Sequence, residues 1–117
     1  AGKFGFPNRS AYAAAKWGVV GFTKTIAMEL GQYGVRCNAI LPGVVEGARI
    51  RRVIEAKAQV AGKTPQEVQE AWLAHASIKE LIQPGQLADL ALFLASPRGR
   101  TISGQALSVD GNLQALV

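Results

Sequence analysis

The stretch SAYAAAKWG, residues 10–18, sets a tyrosine, Tyr12, and a lysine, Lys16, at the ends of an alanine run. Alanine is the strongest helix former. On a helix, residues i and i+4 lie on one face, one turn apart. The phenol and the ammonium would then point the same way. A free tyrosine has a pKa of about 10 and exchanges protons poorly at neutral pH. A cation held beside it favours the phenolate. Such a pair can act as an acid/base on an alcohol or carbonyl oxygen. The same two residue types also recur at this spacing on ordinary solvated helix surfaces. The elements around them must therefore decide.

Residues 2–7 read as a loop carrying Phe4 and Phe6. A helix is expected over 9–30, capped by Asn8 or Ser10 and ended by Gly31 and Gly34. Gly18 and Gly21 lie inside it, where each costs about 1 kcal/mol relative to alanine. They suggest close approach by another helix or a flat ligand. VRCNAILPG, 35–43, is apolar and bounded by glycine and proline, as a buried parallel strand would be. Pro42 and Gly43 break it at its carboxyl end, the edge where open α/β sheets bind ligands. A basic amphipathic helix follows over 48–60, closed by Gly62. Thr64-Pro65-Gln66-Glu67 then reads as a capping box with proline at the first helical position, opening a helix that runs to about His75. Pro84-Gly85 opens another helix, 86–95, with Leu87, Leu90, Ala91 and Leu94 as its core stripe. ALSVDG, 106–111, is a second short strand. This order is part of a doubly wound α/β fold, and two strands are too few to complete a parallel sheet.

Composition narrows the function classes. The chain has 117 residues, 49% of them hydrophobic, within the range of one small domain. One cysteine, Cys37, excludes an internal disulfide framework, suits a reducing, cytoplasmic setting, and reads as a small core residue. No Cys/His cluster has metal-ligand spacing, so no metal is expected, and the lone His75 is expected on a helix. No apolar run is long enough to span a bilayer. The net charge of +5 is scattered, densest at Arg49, Arg51 and Arg52. It forms neither a basic stripe with stacking aromatics nor a known nucleic-acid module. That cluster reads as a solvated helix face, with an anionic substrate group as the other reading.

Taken together, YAAAK at 12–16 with the helix around it, VRCNAILPG at 35–43, and ISGQ at 102–105 with VDG at 109–111 resemble the short-chain dehydrogenase/reductase family. The resemblance covers nearly the whole chain. It is to the carboxyl-terminal part of the family's Rossmann-like, doubly wound αβα sheet. Residues 1–117 would then form a partial NAD(P)-binding domain. The resemblance implies hydride exchange between NAD or NADP and an alcohol or carbonyl carbon of a small molecule. Tyr12 would be the proton donor and acceptor. Lys16 would lower the Tyr12 pKa and bond the nicotinamide ribose. Pro42 and Gly43 would pass the nicotinamide, and the backbone of Val45 would bond its carboxamide. Asn38 would brace the strand end. A homo-oligomer, tetramer or dimer, is implied for the full protein, with Trp17 and Phe22 as exposed candidates on the Tyr12 helix.

Two departures accompany the resemblance. Gly47 stands where the family often has a cofactor-binding threonine, and Glu46 beside it would repel a cofactor phosphate if it pointed inward. The family's catalytic serine, glycine-rich phosphate loop and adenosine-reading acid all fall upstream of residue 1. The region from Val44 to Gln83 varies most in the family and usually covers substrate. Here its mixture of apolar and basic residues suits a 3-oxoacyl or hydroxyacid-type substrate, or equally a packed lid. The competing reading is a non-catalytic segment that serves only in assembly.

Overall fold

The computed structural model describes residues 1–116. Helix α1 spans Ser10–Leu30 and passes into a 3-10 turn, Gly31–Tyr33, that Gly34 closes in the left-handed region, φ 74°. Strand β1 is Ala39–Pro42, followed by α2, Ala48–Ala61, and α3, Pro65–Leu73. Helix α4, Pro84–Ala95, leads through a 3-10 turn, Pro97–Gly99, to strand β2, Ala106–Val109. The two strands pair in parallel, Ala39 opposite Ala106 and Pro42 opposite Val109. Helices α1 and α4 both pack on β1. This is the helix-and-parallel-strand arrangement expected of part of a doubly wound α/β fold.

Several expectations need correction. No side chain caps α1. Asn8 sits at φ 61°, inside a turn closed by the Arg9 N–H on the Phe6 carbonyl at 3.1 Å, and Ser10 is already helical. Regular strand pairing covers only 39–42 of the expected 35–43. Ahead of it the chain runs beside the irregular loop before β2, so side chains replace part of the ladder. Cys37 N–H donates to the Ser103 hydroxyl, and Arg36 Nη1 to the Ile102 carbonyl. Ala39 to Leu41 are only half-buried and Pro42 is exposed, because the sheet has two strands and is incompletely covered. Cys37 is likewise half-buried. His75 is exposed in the turn beyond α3, where its carbonyl accepts from the Gln114 N–H.

The α2–α3 hairpin follows its sequence signals closely. Gly62 closes α2 at φ 63°, its N–H returning to the Ala58 and Gln59 carbonyls. Thr64 and Glu67 form the full reciprocal box, with Pro65 at the first helical turn. The two helices share a small core of Ile54, Ala58 and Val68, flanked by Ile50 and Trp72. At the start of α4 the Gln83 N–H donates to Gln86 Oε1 at 2.8 Å while the Gln86 N–H returns to the Gln83 backbone carbonyl at 3.0 Å, and Leu94 is the one buried residue of the helix's stripe.

The chain between α3 and α4 joins the hairpin to the sheet. On one side Ile82 bridges Val45, its N–H donating to the Val44 carbonyl at 2.8 Å and its carbonyl accepting from Glu46 at 2.9 Å. On the other, Ser77 and Ile78 bond the Gly111 carbonyl just past β2. Gly111 holds φ 64°, and an added Cβ would lie 2.9 Å from the Ile78 carbonyl oxygen.

Candidate active site

The alanine-rich first turns of α1 place Tyr12 and Lys16 on one face, as their spacing requires. The Lys16 ammonium lies 5.3 Å from the Tyr12 ring centroid. Tyr12 is 48% exposed. Among the described residues neither the Tyr12 hydroxyl nor Lys16 Nζ takes part in a hydrogen bond or an ion pair. A phenolic O–H and a three-donor ammonium therefore stand side by side, open to a ligand.

The loop before α1 shapes one wall. Phe6 meets the Tyr12 ring edge-on, centroids 6.2 Å apart. Gly2 lies against the helix, where an added Cβ would come 3.1 Å from the Lys16 carbonyl oxygen. Trp17 Nε1 donates to the Phe4 carbonyl at 3.4 Å. Lys3 reaches the far side and pairs with Asp110 at 3.2 Å.

Asp110 connects this wall to the second half of the site. It follows β2 directly and abuts Gly43, which follows β1. A Cβ at Gly43 would sit 2.8 Å from Asp110 Cα. The close approach at Gly43 is thus made by Asp110, an explanation for this glycine that does not need a ligand. Tyr12 and Lys16 on one side, and Pro42, Gly43 and Val45 on the other, share no hydrogen bond among the described residues. The Lys3–Asp110 pair links the two groups. Neither Lys3 nor Asp110 emerges from the sequence as a pair, since they lie 107 positions apart.

Past Gly43 the chain is strand-like. Because Val44 and Glu46 turn their bonding groups to Ile82, the N–H and carbonyl of Val45 face the opposite edge. Glu46 is engaged by Arg51, Nε to Oε1 2.6 Å, which offsets its negative charge. Asn38 joins β1 to the loop before β2. Its Nδ2 donates to the Ile102 carbonyl at 2.9 Å and its Oδ1 accepts from the Gln105 N–H at 3.1 Å. That is the bracing role expected of it. Lys24 of α1 donates to the Gly104 carbonyl at 2.9 Å, pinning the helix to the same loop.

The family model described as enoyl-(acyl carrier protein) reductase matches residues 1–113. The chain is 40% identical over 111 residues to trans-4-hydroxycyclohexanecarboxylate dehydrogenase of Sinomonas cyclohexanicum, covering 95% of this chain and 37% of that protein. It superimposes with a TM-score of 0.86 on a short chain dehydrogenase family protein from Francisella tularensis, at 29% identity, covering 92% of this chain and 44% of that one. Actinorhodin polyketide ketoreductase with NADPH gives 0.84 at 34% identity, covering 94% and 42%. The chain spans well under half the length of each of these relatives.

Proposed function

Because the chain belongs to the short-chain dehydrogenase/reductase family, we propose that it forms the proton-transfer half of an NAD(P)-dependent oxidoreductase acting on an alcohol or carbonyl group. The observation that carries this reading is the open Tyr12–Lys16 pair, with the ammonium 5.3 Å from the phenol ring. The dinucleotide, when bound, supplies or accepts the hydride. The residues here handle position and protons. Tyr12 gives its proton to the carbonyl oxygen in reduction and takes it from the alcohol in oxidation. The Lys16 charge stabilises negative charge as it develops on the phenol oxygen. Its remaining donors suit ribose hydroxyls. The outward edge of Val45 offers one donor and one acceptor, which matches a carboxamide, beside Pro42 and Gly43 at the carboxyl end of β1.

A hydroxyacid or 3-oxoacyl type of substrate is proposed from the relatives' names and from the basic, apolar α2–α3 region. No described helix is long and apolar enough to cross a membrane. A cytoplasmic setting is proposed from the single, unpaired cysteine, Cys37, which suits a reducing compartment. A homo-oligomer is proposed from the exposed apolar side chains of α1. The same exposure favours the second reading, an assembly role without catalysis.

The experiment is steady-state turnover and cofactor binding of Tyr12→Phe and Lys16→Ala in the full-length protein, the chain of residues 1–117 alone being expected to show no NAD(P)H oxidation. Tyr12→Phe should lower kcat by about 100- to 10,000-fold, the usual worth of a positioned acid/base. It should leave the cofactor Kd within about twofold, since only the O–H is lost. Lys16→Ala should damage both. Near-normal turnover by Tyr12→Phe would defeat the catalytic reading and leave the assembly reading.

A further inference from the structure

The segment before α1 reaches the sheet through one polar contact. Among the described residues, Lys3 alone of residues 1–9 bonds to the strands or to the turns that follow them, its Nζ 3.2 Å from Asp110 Oδ2. Both ends of that contact are fixed. Behind Lys3, Gly2 lies flat on α1, where a Cβ would come 3.1 Å from the Lys16 carbonyl oxygen and 3.2 Å from Val20 Cγ2. The Lys3 ammonium also stands 5.1 Å from the Phe4 ring centroid. On the other side, the Asp110 side chain is only 10% exposed. Its Oδ1 accepts from the Asn112 N–H at 3.0 Å, and its Cα would lie 2.8 Å from a Cβ at Gly43. The Gly43 N–H donates to the Val109 carbonyl at 2.9 Å, so the end of β1 and the turn after β2 move together. A continuous path of contacts therefore runs from Lys16 through Gly2, Lys3 and Asp110 to Gly43.

Helix α1 has a second tether, from Lys24 Nζ to the Gly104 carbonyl at 2.9 Å. Lys24 stands about 18 Å from Tyr12 along the helix axis. Thr23, beside it, is the one buried residue of α1. The helix is thus held firmly around Lys24 and lightly at the end that carries the phenol. About a pivot at Lys24, a tilt of about 3° carries Tyr12 about 1 Å. A misplacement of that size can lower a rate about 100-fold. We infer that Lys3 and Asp110 are a positioning pair: they set the distance between the Tyr12 phenol and the strand end at Gly43, where the proposed nicotinamide lies. The inference rests on the proton-transfer reading above. Both side chains act through others and are assigned no contact with the reacting atoms. A partly exposed ion pair adds little to stability. Its worth here is directional, because the carboxylate is fixed by its own turn and leaves the lysine one place to go.

The test is steady-state kinetics of the full-length protein, with kcat expressed per folded enzyme by circular dichroism, well below every variant's melting midpoint. Lys3→Met and Asp110→Asn should each lower kcat about 10- to 100-fold. KM and the cofactor Kd should stay within about twofold. Lys3→Arg, which keeps the charge and the reach, should recover most of the loss. Lys3→Met combined with Asp110→Asn should lose no more than the worse single variant, since the two act as one unit. Four results would each overturn the pair: wild-type kcat in Lys3→Met, a loss that falls on KM or Kd instead, a loss that Lys3→Arg shares in full, or losses that multiply in the double variant. Tyr12→Phe, run beside them, separates the two readings. If it is inactive while Lys3→Met is normal, the positioning pair fails alone. If it turns over normally, the proton-transfer reading fails and takes the pair with it.

Discussion

At Gly43 the missing side chain leaves space that Asp110 occupies, and this pair of backbones fixes how the ends of β1 and β2 meet. A Cβ there would stand 2.8 Å from Asp110 Cα and 3.1 Å from the Asp110 carbonyl oxygen. Both are backbone atoms, so relief requires moving β2 or its turn. Asp110 is itself held twice, by Lys3 at 3.2 Å and through Oδ1 by the Asn112 N–H at 3.0 Å. Gly43→Ala should therefore cost about 1–3 kcal/mol, the usual range for overpacking, read by urea unfolding. An unfolding midpoint equal to wild type would mean that the two strand ends separate freely. That Tyr12 and Lys16 share one face of α1 was legible from helical spacing, whereas a chemical role for them came only with the family resemblance. Pro42 and Gly43 were legible as a strand end, but the contact at Gly43 was not. Its partner is far along the chain, and no local pattern encodes a through-space approach. The Lys3–Asp110 pair was hidden for the same reason.

At the scale of elements, α3 shows how a short helix is held by its first turn. It has nine residues, too few to be stable in isolation. The Thr64 N–H donates to Glu67 Oε2 at 2.7 Å, and the Glu67 N–H donates back to the Thr64 hydroxyl at 3.2 Å. The bond from the Thr64 backbone, then that from its hydroxyl, holds the Glu67 carboxyl below its ordinary value. A carboxylate with a lowered folded-state pKa contributes stability above its unfolded pKa, about 4.3, and loses it as pH falls through the lowered value. Glu67→Gln should therefore be less stable than wild type near neutral pH, and the gap should close between about pH 4.3 and lower. Thr64→Ala should cost about 1 kcal/mol at pH 7. Thermal melts from pH 7 to 3 check both, and a gap that is constant across the range would refute the box as an ionic cap. This box was legible because every part of it lies within four residues. Strand β1 was legible in place and direction but not in length. Residues 35–38 have strand-like composition, yet their neighbour is the loop ending at Gln105, so pairing there passes to Asn38, Ser103 and Arg36.

At the scale of the molecule, α1 is the element least satisfied by this chain. Its apolar residues run around the whole helix, and a helix of that kind is normally covered on several sides. Yet Thr23 is its only buried residue. Trp17 and Met28 are exposed and fall about 20° apart on the helical wheel, on the side away from Tyr12 and Lys16. Gly18 and Gly21 lie on the same half, and a Cβ at either would meet nothing within 4 Å. The close approach that these glycines suggest is therefore not made by the described residues of this chain. If a second copy packs there, as the proposed homo-oligomer requires, the glycines set how near the helices come. Gly18→Ala and Gly21→Ala separate the possibilities because two effects oppose each other. On a free helix face each change stabilises by about 1 kcal/mol, the propensity difference. In a close helix–helix contact the added methyl groups force the copies apart and weaken assembly. Light scattering coupled to size exclusion should show the double variant shifting to a smaller species at low micromolar concentration, with Trp17→Glu giving the same shift. A double variant that keeps its mass and gains stability would place the glycines in solvent and the interface, if one forms, on another face.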